Sequence, residues 1–74
     1  MAHVRTVTPD GERIRELRLR RGLTVIELAK RTRRGRATIH HLEAGRRGSE
    51  VLIHQLALAL GCEAGELIRQ DVAA

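Results

Sequence analysis

Gly22-Leu23-Thr24-Val25-Ile26-Glu27-Leu28-Ala29, followed closely by Arg36-Ala37-Thr38-Ile39-His40-His41-Leu42-Glu43-Ala44-Gly45-Arg46-Arg47, decides how this chain folds. Thr24 is a good N-cap, and Glu27 three residues later completes a capping box, so a helix starts at residue 25. Leu28 and Ala29 give that helix a buried face, and the small Ala29 lets a neighbour approach closely. After a tight turn at Arg33-Arg34-Gly35 a second helix is expected from Arg36 to Ala44, with Ile39 and Leu42 inward and Gly45 as a left-handed stop.

Similar signals continue outward. Thr8-Pro9 reads as a helix start, with Thr8 as the cap and Pro9 in the first turn where its missing N–H is harmless. The first helix carries Ile14, Leu17 and Arg18 on one side and ends at Gly22. Ser49 caps a fourth helix, apolar at Leu52, Ile53, Leu56, Ala57 and Leu60 and closed by Gly61. A last short helix is expected near Ala64 to Gln70, burying Leu67 and Ile68. The expected architecture is a compact all-α bundle of five helices without strands. Residues 1–8 are expected to form a loose polar arm, 9–70 the domain and 71–74 a tail.

The 74 residues suffice for one core, and the absence of aromatic residues leaves that core to Leu, Ile, Val and Ala. A single cysteine, Cys62, excludes an internal disulfide and fits a reducing, cytoplasmic setting. No apolar run has the length of a signal peptide core or a membrane span. The net charge of +5 is unevenly spread. Arg13 to Arg47 holds twelve basic and three acidic residues, whereas Gly48 to Ala74 holds one basic and four acidic. An arginine-rich composition alone means only a solvated surface. Its concentration around the two short helices points to a polyanion.

Other chemistries fare poorly. His40, His41, His54 and Cys62 have no close zinc spacing, and adjacent histidines on a helix point about 100° apart, so neither metal nor cofactor is expected. No acid/base pair, nucleophile beside a base or glycine-rich phosphate loop can be assembled, which argues against an enzyme.

Taken together, Ile14-Arg15-Glu16-Leu17-Arg18, Gly22-Leu23-Thr24, Glu27-Leu28-Ala29, Thr38-Ile39, Leu42-Glu43, Gly45-Arg46-Arg47, Leu56 to Gly61 and Glu66-Leu67 resemble the lambda-repressor-like Cro/XRE helix-turn-helix family of bacteria and phages. The resemblance covers about residues 12–68. It implies a sequence-specific, double-stranded-DNA-binding transcriptional regulator, a repressor or autoregulator, with the Arg36–Ala44 helix as the recognition helix. The family's base-contacting positions fall on Arg36, Ala37 and His41. A guanidinium at 36 suits guanine O6 and N7, and an alanine methyl at 37 suits thymine. Phosphate contacts fall on Thr38, His40, Arg46 and Arg47, with Arg33, Arg34 and Lys30 as additions. The resemblance also implies a structural ion pair between Arg18 and Glu43, locking the recognition helix to the first helix. Arg20 and Arg21 are read as solvated charges that complement the end of their helix.

The chain departs from that pattern where it would face DNA. Val25 stands where glutamine is usual and offers no hydrogen bond. Arg33-Arg34-Gly35 replaces a turn of glycine, a small apolar residue and serine. Arg33 would then occupy a left-handed position, and Arg34 cannot fill an apolar pocket beneath the turn. Either the turn is re-formed locally, or both arginines swing outward toward phosphate.

Val51, Leu58 and Cys62 lie near one face of the fourth helix, apart from its main apolar stripe. They either complete the core or form a homodimer contact, which would present two recognition helices about 34 Å apart to a palindromic operator. The competing reading is a protein-interaction module, such as an antitoxin or adaptor on the same scaffold. RNA is a distant third, since no aromatic side chain is available for stacking.

Overall fold

The computed structural model describes residues 5–69. Four α-helices are present: α1 (Gly11–Arg20), α2 (Val25–Thr32), α3 (Arg36–Glu43) and α4 (Glu50–Leu60). They are followed by a single 3-10 turn, Ala64–Leu67, and accompanied by two short strands, β1 (Thr6–Val7) and β2 (Gly48–Ser49). The expected fifth helix is therefore one 3-10 turn among the described residues. Its backbone becomes extended at Ile68, which forms a bridge with Pro9. The expected residue 70 and the 71–74 tail lie outside the described residues, as do residues 1–4 of the arm.

The caps explain where the helices begin. Thr24 Oγ1 accepts from Glu27 N, and Glu27 Oε1 accepts from Thr24 N, closing the capping box of α2. Ser49 Oγ accepts from Leu52 N at the start of α4. For α1 the expected cap at Thr8 is corrected to Asp10, whose carboxylate accepts from Arg13 N at 3.1 Å. Thr8 is engaged elsewhere, its carbonyl accepting from Arg69 N. Pro9 is buried against the chain's end instead of sitting in the helix.

The expectation of an arm without strands is also corrected. Antiparallel β1 and β2 pair Thr6 with Ser49 and Val7 with Gly48, and Glu50 N donates to the Arg5 carbonyl. An extended segment beside the short β2 gains backbone partners there that a loose arm would forgo. This pairing ties residues 5–7 to the segment between α3 and α4.

The core joins Ile14, Leu23, Leu28, Ala29, Ile39, Leu42, Leu52, Ile53, Leu56, Ala57, Leu60 and Leu67. Leu17, Val25, Cys62 and Ile68 pack around it partly buried. Every α-helix contributes to it, and α3 packs against α1 and α2 with its far side left to solvent. The approach of α1 to the end of α3 is close enough that a side-chain carbon on Gly11 would run into the Glu43 carbonyl.

Candidate nucleic-acid interface

The far side of α3 follows directly from its helical repeat. Ile39 and Leu42 point into the core, which leaves Arg36, Ala37, His40, His41 and Ala44 exposed in one stripe. Thr38 is half-buried at the edge of that stripe. Arg33 and Arg34 precede the helix, Arg46 and Arg47 follow it, and Lys30 and Arg31 lie in the last turn of α2; all six are exposed. The predicted reading residues Arg36, Ala37 and His41 thus lie on the exposed side of α3, and the predicted cations flank that helix in sequence. A cleft of about 240 Å³, bounded by Ala37, Thr38, His41, Leu42, Arg47, Gly48 and Leu52, opens between α3 and the start of α4.

The orientation of α3 is set from behind. Arg18 Nε donates to Glu43 Oε2 at 2.6 Å and Nη2 to Oε1 at 3.1 Å, a forked pair that joins α1 to the last residue of α3. Both side chains are about a tenth exposed. The remaining guanidinium nitrogen, Nη1, donates to the Leu23 carbonyl at 2.9 Å, so the same arginine also fixes the loop before α2. No buried side-chain nitrogen or oxygen among the described residues lacks a hydrogen-bond partner.

The turn between α2 and α3 departs from a glycine turn in a specific way. Arg33 has φ 55° and ψ 39°, the left-handed conformation, and closes α2 with its N–H on the Lys30 carbonyl. Among the described residues it is the one non-glycine position with positive φ. A side chain in that region costs about 1–2 kcal/mol through crowding of Cβ against the carbonyl. Gly35 takes the N-cap place of α3 in extended conformation, without a side chain to accept from the helix amides. Arg34 turns back over α4, with Nη2 and Nε donating to Gln55 Oε1 at 3.1 and 3.4 Å.

Arg47 is held as well. Its guanidinium donates to Thr6 Oγ1 at 3.0 and 3.3 Å and to the Thr6 carbonyl at 3.3 Å. Sequence reasoning did not identify Thr6, because its contact with Arg47 spans 41 residues and depends on the β1–β2 pairing. Gln55 was missed for the same reason, being an ordinary polar residue on α4 in sequence terms.

Outside the α3 stripe, α4 leaves Leu58 85% and Val51 61% exposed, while Cys62 is partly buried against the core. Burial pushes the Cys62 thiol up from its ordinary value, with the Glu66 carboxylate adding to the effect. Val51 and Leu58 point outward, with Cys62 partly buried after them in sequence, just past the end of α4. Among the described residues no three His, Cys, Asp or Glu side chains come together as a metal site. No helix there is long and apolar enough to cross a membrane.

The profile of a family described as a helix-turn-helix domain matches residues 11–70 of the chain. Among solved structures, the chain is similar to the restriction-modification controller protein C.AhdI from Aeromonas hydrophila. The two share 40% sequence identity and superimpose with a TM-score of 0.70, covering 76% of this chain and 86% of that one. No curated protein sequence matches the chain significantly.

Proposed function

The chain belongs to the helix-turn-helix domain family, and from that premise we propose that it is a sequence-specific, double-stranded-DNA-binding transcriptional regulator. It acts as a homodimer on a palindromic operator, by repression or autoregulation. One observation carries this reading. The solvent side of α3 presents Arg36, Ala37, His40 and His41 in a single stripe, with arginines before and after it, while Arg18 and Glu43 hold the helix from behind.

In this reading α3 enters the major groove. Arg36 donates a bidentate fork to guanine, His41 donates to a base edge, and the Ala37 methyl meets thymine. Thr38, His40, Arg33, Arg46, Arg47 and Lys30 hold phosphate and set the register without reading sequence. Arg47 is already oriented by Thr6. The likeness to a restriction-modification controller makes genes of such a system the first candidates for regulation. Dimerisation through the exposed Val51 and Leu58 side of α4 would set the two α3 helices about one DNA turn, ~34 Å, apart.

A second reading, a protein-interaction module such as an antitoxin or adaptor, draws on Val25. It opens α2 half-buried against the core and has no donor for a phosphate. Selection of binding sites from a random duplex library at low and moderate salt separates the two. The regulator reading expects enrichment of a palindrome with half-sites about 10–11 base pairs apart. Absence of duplex binding even at low salt would favour the interaction module.

A further inference from the structure

The geometry points to Arg34 as a positioning residue that braces the helix-turn-helix turn against α4 through Gln55, in place of the phosphate contact its charge and location suggest. This inference rests on the DNA-binding reading above. The brace consists of the two donations from the Arg34 guanidinium to Gln55 Oε1, across 21 residues of sequence.

Three observations converge on it. First, the backbone of the turn is committed to an unfavourable shape, with Arg33 left-handed and Arg34 N donating to the Ala29 carbonyl at 2.9 Å. Second, an open cleft of about 490 Å³ separates the end of α2 and the turn from α4, bounded by Arg31, Thr32, Arg33, Gln55, Leu58 and Ala59. The Arg34–Gln55 contact links the turn to α4 beside it. Third, α3 begins at Gly35 with no side-chain cap, so its first turn gains nothing locally to fix its direction. Among the described residues, the hydrogen bonds from Arg34 are the ones that tie a side chain of residues 33–36 to another element.

The choice of partner matters. Gln55 is neutral, so the bond fixes the guanidinium without cancelling its charge. Arg34 therefore still contributes to the positive field around α3, while its directional donors serve the fold. The direction of α3's first turn, and with it Arg36 immediately after the turn, then depends on a residue of α4. Gln55 is also one turn from the outward Leu58, which places the brace between the proposed dimer face and the reading helix.

Gln55→Ala tests this, because it removes the acceptor while leaving every charge in place, in a helix that tolerates alanine. Affinity is measured by fluorescence anisotropy for the selected operator and for a random duplex over a salt series, below the melting temperature recorded for each variant. The brace predicts that the operator-to-random affinity ratio falls about three- to tenfold, the effect of losing one ordinary hydrogen bond. It also predicts an unchanged salt slope for Gln55→Ala, and no further fall in the ratio when Arg34→Ala is added. Gln55→Glu, which keeps an acceptor for Arg34, should retain the ratio even though its added negative charge weakens both affinities. An unchanged or raised ratio in Gln55→Ala would overturn the inference, since a phosphate-seeking Arg34 gains freedom when Gln55 is cut back. Wild-type protein without operator preference would instead refute the DNA-binding reading, which keeps the two failures apart.

Discussion

Arg18 and Glu43 stand 25 residues apart in sequence and share two hydrogen bonds, so the end of α3 cannot turn without dragging α1 with it. A guanidinium and a carboxylate that are both about nine-tenths covered hold each other by necessity, because either one alone would be a charge without water. Arg18→Met should destabilise the fold by roughly 3 kcal/mol in urea unfolding, since it strands Glu43 and frees the Leu23 carbonyl. The double variant Arg18→Met/Glu43→Leu should recover most of that loss, as apolar replacement of a whole buried pair often does. A double variant no better than the single one would show that the pair is not the source of the cost.

Gly11 lies where α1 and the end of α3 come closest. Gly11→Ala would normally favour a helix, yet here its new carbon would meet the Glu43 carbonyl and lie close to Gly45 N. The expected result is a loss of about 1–3 kcal/mol, from overpacking against backbone that cannot yield. Thermal unfolding followed by circular dichroism measures it, and a stabilised variant would contradict the packing described.

Arg33 combines an unfavourable backbone with a favourable charge, and the two can be separated. Arg33→Gly should raise stability by about 1 kcal/mol because glycine accepts positive φ without crowding. The same variant should bind DNA less tightly, with a salt slope shallower by about 1, if the arginine holds a phosphate. Unchanged stability would show that the left-handed position carries no strain.

Two carboxyls give the fold a defined response to acid. The Thr24 backbone N–H, then its hydroxyl, and at lesser strength Arg31 and Lys30 hold Glu27 below its ordinary 4.5. The Glu63 backbone N–H and then Arg13 do the same for Glu66. A carboxyl whose folded pKa is lowered stabilises the protein fully above its unfolded pKa and loses that contribution as pH falls through the folded value. Melting temperature should therefore be flat with respect to these groups above pH 4.5 and decline below it. Glu27→Gln, which keeps the capping geometry, should show a shallower decline. An equally steep one would remove Glu27 from the account.

The parts of this molecule legible in its sequence are those governed by local rules. Thr24 with Glu27, Ser49, Gly45 and Gly61 mark helix ends within three or four residues, and the apolar spacing from Ile14 to Leu60 places nearly every core residue. The positive φ of Arg33 could also be anticipated, because the turn demands it whichever residue is present. What escaped is non-local. The β1–β2 pairing, the Pro9–Ile68 bridge, the Thr6–Arg47 contact and the Arg34–Gln55 contact each join residues more than 20 positions apart. None carries periodicity, so an extended, polar beginning read as a loose arm. Leu23 went unremarked as core because it sits in a loop, although it is buried beside Arg18's hydrogen bond to its carbonyl. The cap of α1 was misplaced by two residues because Thr8-Pro9 and Asp10 are both acceptable starts, and only the pairing at the far end of the chain decides between them.

In the proposed mode of binding, α3 reads base sequence while Arg46 after it grips phosphate. The most direct measurement of that mode compares Arg36→Ala and Arg46→Ala with the wild type on the selected operator and on random duplex DNA, over a salt series. Arg36→Ala should lose ~1–3 kcal/mol more on the operator than on random DNA, with specificity relaxed at one base pair per half-site. Arg46→Ala should weaken both DNAs alike and flatten the salt slope by about 1. Equal losses on both DNAs for Arg36→Ala would contradict the assignment of α3 as the reading helix.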